Sequence, residues 1–278
     1  LIGREVNKIV YSINKDLENN NDREKWIGRI FNSKKYGDFI VLGVHGLGYQ
    51  NKKLYICKFI NTGYETLSTG GNIKKQELKD CLFPTVYNIG KIGYIKNPQL
   101  HEQYERWIRM LQRCYDEEYH KIEVSYKDVV VDERWHRFDY FVDDVPKIKG
   151  YKELKQYNNI NFEIDKDIFA VNNSNKIYTL EQCCFVPKEI NNLFRRTPNT
   201  NTSGYMGVSY NKNINKYKVA LGKKYLGVYK SAEEAFKIYC EYKYNILIKM
   251  LNKYDFLLPS IKIASLQKMK EYYIESLK

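Results

Sequence analysis

Between residues 204 and 247 the apolar pattern switches from a strand period to a helix period, and no other stretch restricts the fold of this chain as strongly. The runs 205–210, 216–221 and 225–229 alternate apolar and polar residues, and turn-forming Asn211-Lys212-Asn213 and Gly222-Lys223-Lys224 separate them. Ser231, followed by Glu233 and Glu234, then signals the start of a helix, along which Ala235, Ile238, Tyr239, Tyr242, Ile246 and Leu247 share a face. Turns this short impose antiparallel pairing, so the pattern predicts a three-stranded sheet with a helix across one face and the other face turned outward. Along the middle run Tyr217, Val219 and Leu221 point to the helix, and Lys216, Lys218 and Ala220 point away from it. A second helix is predicted over 261–276.

Charge is unevenly distributed. The 278 residues carry 46 Lys and Arg against 33 Asp and Glu, a net +13. From 195 to 278 the counts are 16 and 6, which puts +10 of the total in this last segment and leaves +3 for the preceding 194 residues. Codon bias spreads lysine evenly, whereas an electrostatic footprint for phosphates concentrates it on one module. The expected partner is therefore a polyanion, double-stranded DNA first. The six cysteines are scattered, with no CxxC pair and no histidines at zinc spacing, which excludes a zinc finger. No apolar run approaches the roughly 18 residues of a membrane span. The expectation is a cytoplasmic protein with reduced thiols, no membrane partner and no small-molecule cofactor.

Upstream, the chain divides by pattern into two further segments. Residues 26–94 hold short β-like runs (Phe39-Ile40-Val41-Leu42, and Leu54 through Ile60) between Gly/Asn turns, and read as a small β domain over 1–97. Ile2-Gly3-Arg4 recurs as Ile27-Gly28-Arg29, too short a match to establish a repeat, and 15–21 reads as a polar linker. Over 102–115 the pattern turns helical, with Tyr104, Trp107, Ile108, Leu111 and Tyr115 on one face and Arg106, Arg109 and Arg113 lined up on the other. That arginine stripe suits either solvent or a phosphate backbone. Val129-Val130-Val131 reads as a strand, and Asp132 as the cap of a helix carrying Trp135, Phe138, Phe141 and Val142. Residues 162–194 read strand, loop, strand, helix: Phe162, Ile164 and Ile168, a turn at 172–175, the apolar run 183–186, and Pro187 where a helix begins. The fold class is thus α+β and multidomain, with segments 1–97, 98–196 and 197–278.

Two resemblances sharpen this reading. Tyr205-Met206-Gly207-Val208, Tyr225-Leu226-Gly227-Val228-Tyr229 and Ala232-Glu233-Glu234-Ala235-Phe236-Lys237-Ile238-Tyr239 resemble the three signature stretches of the plant ethylene-response-factor-type (APETALA-type) DNA-binding domain. That resemblance puts DNA contacts at Met206, Ser209, Asn211, Lys218, Gly222, Lys223 and Tyr225; the outward-facing pattern adds Lys216 and Lys224. Where the family has arginines, Met206 and Ser209 stand here, so guanine reading by Arg is largely missing and a sequence-tolerant grip is implied.

The ββα stretch, with Asp165-Lys166-Asp167 on its first strand, Asn175 in its loop and Asn191-Asn192 on its helix, resembles the layout of HNH-family nucleases. The flanking stretches 104–115, 132–141 and 59–94 resemble phage-encoded HNH homing endonucleases with a C-terminal ethylene-response-factor-type domain, so the likeness spans most of the chain. The resemblance implies a ββα-metal nuclease unit that cuts or nicks a phosphodiester with one Mg²⁺ (or Mn²⁺). Asp165 and Asn191 would hold the ion, with Asp167 or Asn192 as a further ligand. Asn175 would fall where the family orients its base, and for a phage product the host cytoplasm is the expected compartment. The sequence departs from the family at one decisive place, where Lys166 stands in the position of the histidine that activates water. A lysine near its ordinary pKa of about 10.4 is protonated at neutral pH and is no base. Three readings stay open: a cation-acidified water with Lys166 stabilising the charge that develops, a base from elsewhere such as Tyr178 or His136, or a catalytically inactive DNA-binding scaffold.

Overall fold

The structure, a computed structural model, describes residues 26–95, 100–157, 159–170, 176–194 and 203–275. Asn175, the turn at 172–175, the Ile2-Gly3-Arg4 motif and the polar stretch 15–21 lie outside the described residues. The fold is mixed α and β with several separate sheets. It divides into two compact units, the described residues up to 112 together with His136–Tyr140, and Arg113–Trp135 together with the described residues from 141 onward. This grouping differs from three successive segments, because the ββα stretch and the C-terminal sheet fall within one unit.

In the first unit four strands, β1 (Ile30–Ser33), β2 (Gly37–Leu47), β3 (Lys53–Phe59) and β4 (Glu65–Thr69), form an antiparallel meander in chain order. Alternation sends Phe39, Val41, Tyr55, Cys57 and Phe59 to one face, where Ile73 and Leu78 complete the core. Thr69 caps the short helix α1 (Gly70–Lys75), its hydroxyl accepting from the Asn72 amide at 3.4 Å. Helix α2 (His101–Tyr115) buries Trp107, Met110 and Leu111, and Trp107 meets the Phe138 ring at 5.3 Å. Gly90 is obligatory there, since a Cβ would lie 2.5 Å from Leu111 and 2.9 Å from Trp107.

The helix expected after Asp132 is interrupted. Asp132 does cap, accepting from the Arg134 amide at 2.9 Å, but only a 3-10 turn (Glu133–His136) follows before an α-helix over Phe138–Asp144. The main chain between them is drawn into a parallel bridge: the Lys91 amide donates to the His136 carbonyl at 2.8 Å and the Phe138 amide to the Lys91 carbonyl at 2.9 Å. Backbone groups used across that bridge are unavailable to a continuous helix.

In the second unit the expected strand at 129–131 appears as β5 (Val130–Val131), paired in parallel with β7 (Ile177–Tyr178). Strand β6 (Phe162–Asp165) pairs antiparallel with β8 (Cys184–Pro187), placing Asp165 opposite Cys184, and the helix Lys188–Phe194 follows β8 directly. Ile168 lies beyond the end of β6, in a turn that the Asp165 side chain closes.

The C-terminal sheet has the order β11 (Lys224–Tyr229), β10 (Lys216–Leu221), β9 (Val208–Asn211), with the basic strand in the middle. A long helix, Ala232–Lys253, crosses one face, and Val208, Val219, Ala235, Phe236, Tyr239 and Cys240 form the core between them. Ser231 is the expected cap, its hydroxyl accepting from the Glu234 amide at 3.1 Å. Gly207 explains the Tyr-x-Gly-Val motif physically: its φ is +72°, and a Cβ would sit 2.2 Å from the Tyr239 ring.

The last helix, Pro259–Glu275, docks on the ββα stretch. Ile261 packs against Ile168, Cys184 and Val186, and the Lys268 ammonium donates to the Ala170 carbonyl at 3.3 Å. Lys253 and the Tyr254 hydroxyl both reach the Glu189 carboxylate at 3.0 Å, tying the long helix to the helix of the ββα stretch.

Candidate nucleic-acid interface and ββα site

The outward face of the C-terminal sheet follows from its register. Lys216 lies opposite Asn211, Lys218 opposite both Ser209 and Val228, and Ala220 opposite Tyr225. Side chains directly opposite in a ladder project to the same face, so these residues share the side away from the helix. Between 203 and 230 the chain holds Lys212, Lys216, Lys218, Lys223, Lys224 and Lys230, all exposed, and no Asp or Glu. The Lys218 ammonium lies 5.7 Å from the ring of exposed Tyr225. A bulge between Val219 and Ala220 adds twist to this ribbon. Two expected contacts are drawn elsewhere: the Asn211 side chain accepts from the Asn213 amide at 3.1 Å and so shapes the turn, and Met206 packs against the core.

The arginine stripe does not form one exposed row. Arg106 pairs with Glu102 at 2.9 Å and Arg109 with Glu105 at 3.8 Å, both one helical turn away. Arg113 belongs to the second unit, where its guanidinium lies 5.9 Å from the Tyr126 ring. Burial opposes its charge, but Tyr178 and Tyr126 hold its pKa above the ordinary arginine value.

In the ββα stretch one Asp165 oxygen accepts from the Asp167 amide at 2.8 Å and the Ile168 amide at 2.7 Å. Among the described residues nothing donates to its second oxygen. The residue is only 7% exposed, and burial, with Asp167 adding to it, raises its pKa to about 6 against the opposing pull of the two amides and Lys166. Lys166, also 7% exposed, bonds to the Asp167 carboxylate at 2.7 Å, and its ammonium stands 5.9 Å from both the Tyr126 and Tyr178 rings.

Asn191 is turned toward a residue absent from the expected set: its amide donates to the Glu163 carboxylate at 2.8 Å, and Lys188 approaches the same carboxylate at 3.7 Å. Glu163 lies two residues before Asp165, on the same strand face and about 7 Å along it. Its position two before the aspartate was a usable signal in the sequence. Asn192 is exposed on the same helix.

For a divalent cation, the donor type is right and the convergence is not. Asp165, Asp167, Asn191 and Asn192 all offer hard oxygens, as Mg²⁺ requires. Yet Asn191 engages Glu163, Asp167 is held by an ammonium, and no group of three or more His, Cys, Asp and Glu comes together among the described residues. These residues as arranged do not fit the implied ion. Burial, with Tyr126 adding to it, drives the Tyr178 hydroxyl well above its ordinary range, and its anion is correspondingly scarce at neutral pH. His136 falls in the first unit.

No helix among the described residues is long and apolar enough to cross a membrane. No family model, curated protein or solved structure matches this chain.

Proposed function

We propose that the chain binds duplex DNA through the outward face of its C-terminal sheet, and that its ββα stretch is a nuclease-type unit set beside that grip in the same compact unit. The observation that carries the proposal is the run 203–230, with six exposed lysines, no carboxylate and a sheet face free of the covering helix. A twisted ribbon of two or three strands suits a major groove about 12 Å wide. Lysine ammonium groups act on phosphates as point charges and set position and affinity, without choosing a base. The grip is accordingly sequence-tolerant.

A second reading, metal-dependent phosphodiester cleavage of the HNH type, is favoured by one observation. Asp165 closes the first strand of a β-hairpin-plus-helix, keeps one carboxylate oxygen uncommitted among the described residues, and is buried at a cost to its own ionisation. Carboxylates destabilised in this way concentrate at functional sites. This reading requires Asn191 to leave Glu163, and it gives Lys166 the role of offsetting phosphate charge.

Supercoiled plasmid incubated with the protein and Mg²⁺ or Mn²⁺ separates the two. Relaxed circles made by the native chain and lost in Asp165→Ala support cleavage. A gel shift without relaxed circles leaves DNA binding as the activity, and a chain that neither shifts nor relaxes the plasmid defeats both.

A further inference from the structure

The four-stranded sheet of the first unit presents a feature that the C-terminal grip does not use. Strands β2 and β3 form a ribbon that outruns β1: the pairing of β1 reaches only Ile40, while β2 stays paired with β3 out to Leu47 and Lys53, and β4 flanks β3 as far as Leu54. The ribbon ends in a closed turn, with the Gly48 amide donating to the Lys52 carbonyl at 2.8 Å and left-handed backbone at Gln50 and Asn51. At this tip Tyr49 is 87% and Leu47 68% exposed, and Lys52 and Lys53 are exposed beside them.

Along the strands that carry the tip, the charge has one sign. From Phe39 through Tyr64 the chain contains no Asp or Glu, and 26–95 carries ten Lys and Arg against four acids. Those acids are engaged locally: Asp38 accepts from Asn32 at 2.7 Å, Glu65 pairs with Lys58 at 3.0 Å, and Asp80 is buried and accepts from Thr62 at 2.5 Å. Glu77 is exposed and makes no such contact among the described residues. A protein partner for exposed Tyr and Leu has no need of a carboxylate-free surround. A polyanion does, and the tip, where only the Leu47–Lys53 pair and its turn project past β4, is narrow enough for a groove and carries the aromatic side chain to press on sugars or bases.

We propose that the β2–β3 tip, Leu47 to Lys53, is a second DNA-contacting element that enters a groove of the duplex with Tyr49 leading and Lys52 and Lys53 on flanking phosphates. It shares with the proposed function only the premise that the ligand is duplex DNA, and it is independent of the C-terminal sheet.

The test uses the full chain on one labelled duplex, with hydroxyl-radical footprints and affinities at several salt concentrations. The variants are Lys52→Glu/Lys53→Glu, Tyr49→Ala and, separately, Lys218→Glu/Lys223→Glu. All lie at exposed positions, and thermal midpoints measured alongside separate a loss of folding from a loss of binding. The tip charge variant should lower the salt slope by about two and erase one protected segment. Tyr49→Ala should weaken binding about tenfold, the effect of losing one aromatic contact to a base. If the tip variants bind and protect like the native chain while the Lys218/Lys223 variant collapses, the tip proposal is overturned and the C-terminal grip survives. The converse pattern supports the tip and overturns the grip. A native chain that protects no DNA, or a photo-crosslinker at position 49 that yields protein adducts and no DNA adducts, overturns the tip proposal as well.

Discussion

Replacing Lys216, Lys218, Lys223 and Lys224 together by alanine should change how binding responds to salt more than how it responds to sequence. All four are exposed, and none forms an ion pair among the described residues, so their removal leaves the sheet core of Val208, Val219 and Phe236 untouched. If each neutralises one phosphate, each contributes about 0.9 to the slope of log affinity against log salt, and the four together about 3.6. Between 50 and 200 mM salt the ratio of native to variant affinity should therefore shrink by about 150-fold. Fluorescence anisotropy on two duplexes of unrelated sequence, titrated at four or five salt concentrations, measures this directly. The loss should be the same for both duplexes, because phosphate contacts carry no base information. Parallel lines for native and variant protein on the salt plot would refute the idea that this face touches the backbone. A loss confined to one duplex would assign these lysines to base reading.

The remaining predictions concern stability. Asp144 is buried and accepts from the Trp135 indole at 3.1 Å, Arg134 at 2.6 Å and Lys147 at 2.7 Å. Asp144→Ala removes an acceptor of the buried indole N–H, at about 1–3 kcal/mol, while the half-exposed Arg134 and Lys147 return to water at little cost. The thermal midpoint should drop by roughly 5–10 °C, and Asp144→Asn, which keeps an acceptor for Trp135, should lose less than half of that. Equal losses for Ala and Asn would show that the charge matters more than the indole bond. Asp165 has a folded pKa of about 6 against about 3.9 unfolded, so its contribution is present below pH 4 and lost as pH rises through 6. Asp165→Asn, still accepting from the Asp167 and Ile168 amides, should stabilise the protein at pH 7.5 by about 2–3 kcal/mol and remove that part of the pH dependence. A destabilised Asn variant at pH 7.5 would contradict this account.

Much of the C-terminal sheet and its covering helix was legible because the information is local. Strands of period two, turns of fixed length, a Ser231 cap and an apolar helical stripe each constrain only their neighbours in sequence, and all agree. Position 207 is the exception there, since its glycine is visible in the sequence but the reason for it, a positive φ beneath Tyr239, lies in the tertiary packing. The helix that the sequence predicts after Asp132, through Trp135, Phe138, Phe141 and Val142, is interrupted because Lys91, more than forty residues away, claims main-chain groups at 136 and 138.

At the ββα stretch the sequence determined residue types and element order: Asp165 on the first strand, the apolar run 183–186 on the second, and Asn191 on the helix that follows. Tertiary structure decided their partners. Asn191 went to Glu163, Lys166 to Asp167, Arg113 to Tyr126, and the last helix to Ile168, Cys184 and Val186. Periodicity states which face of an element is apolar, but any apolar face satisfies it. Which faces meet depends on shape and on distant polar groups, and a lysine such as Lys268, buried on the Ala170 carbonyl, reads in sequence like any solvated one.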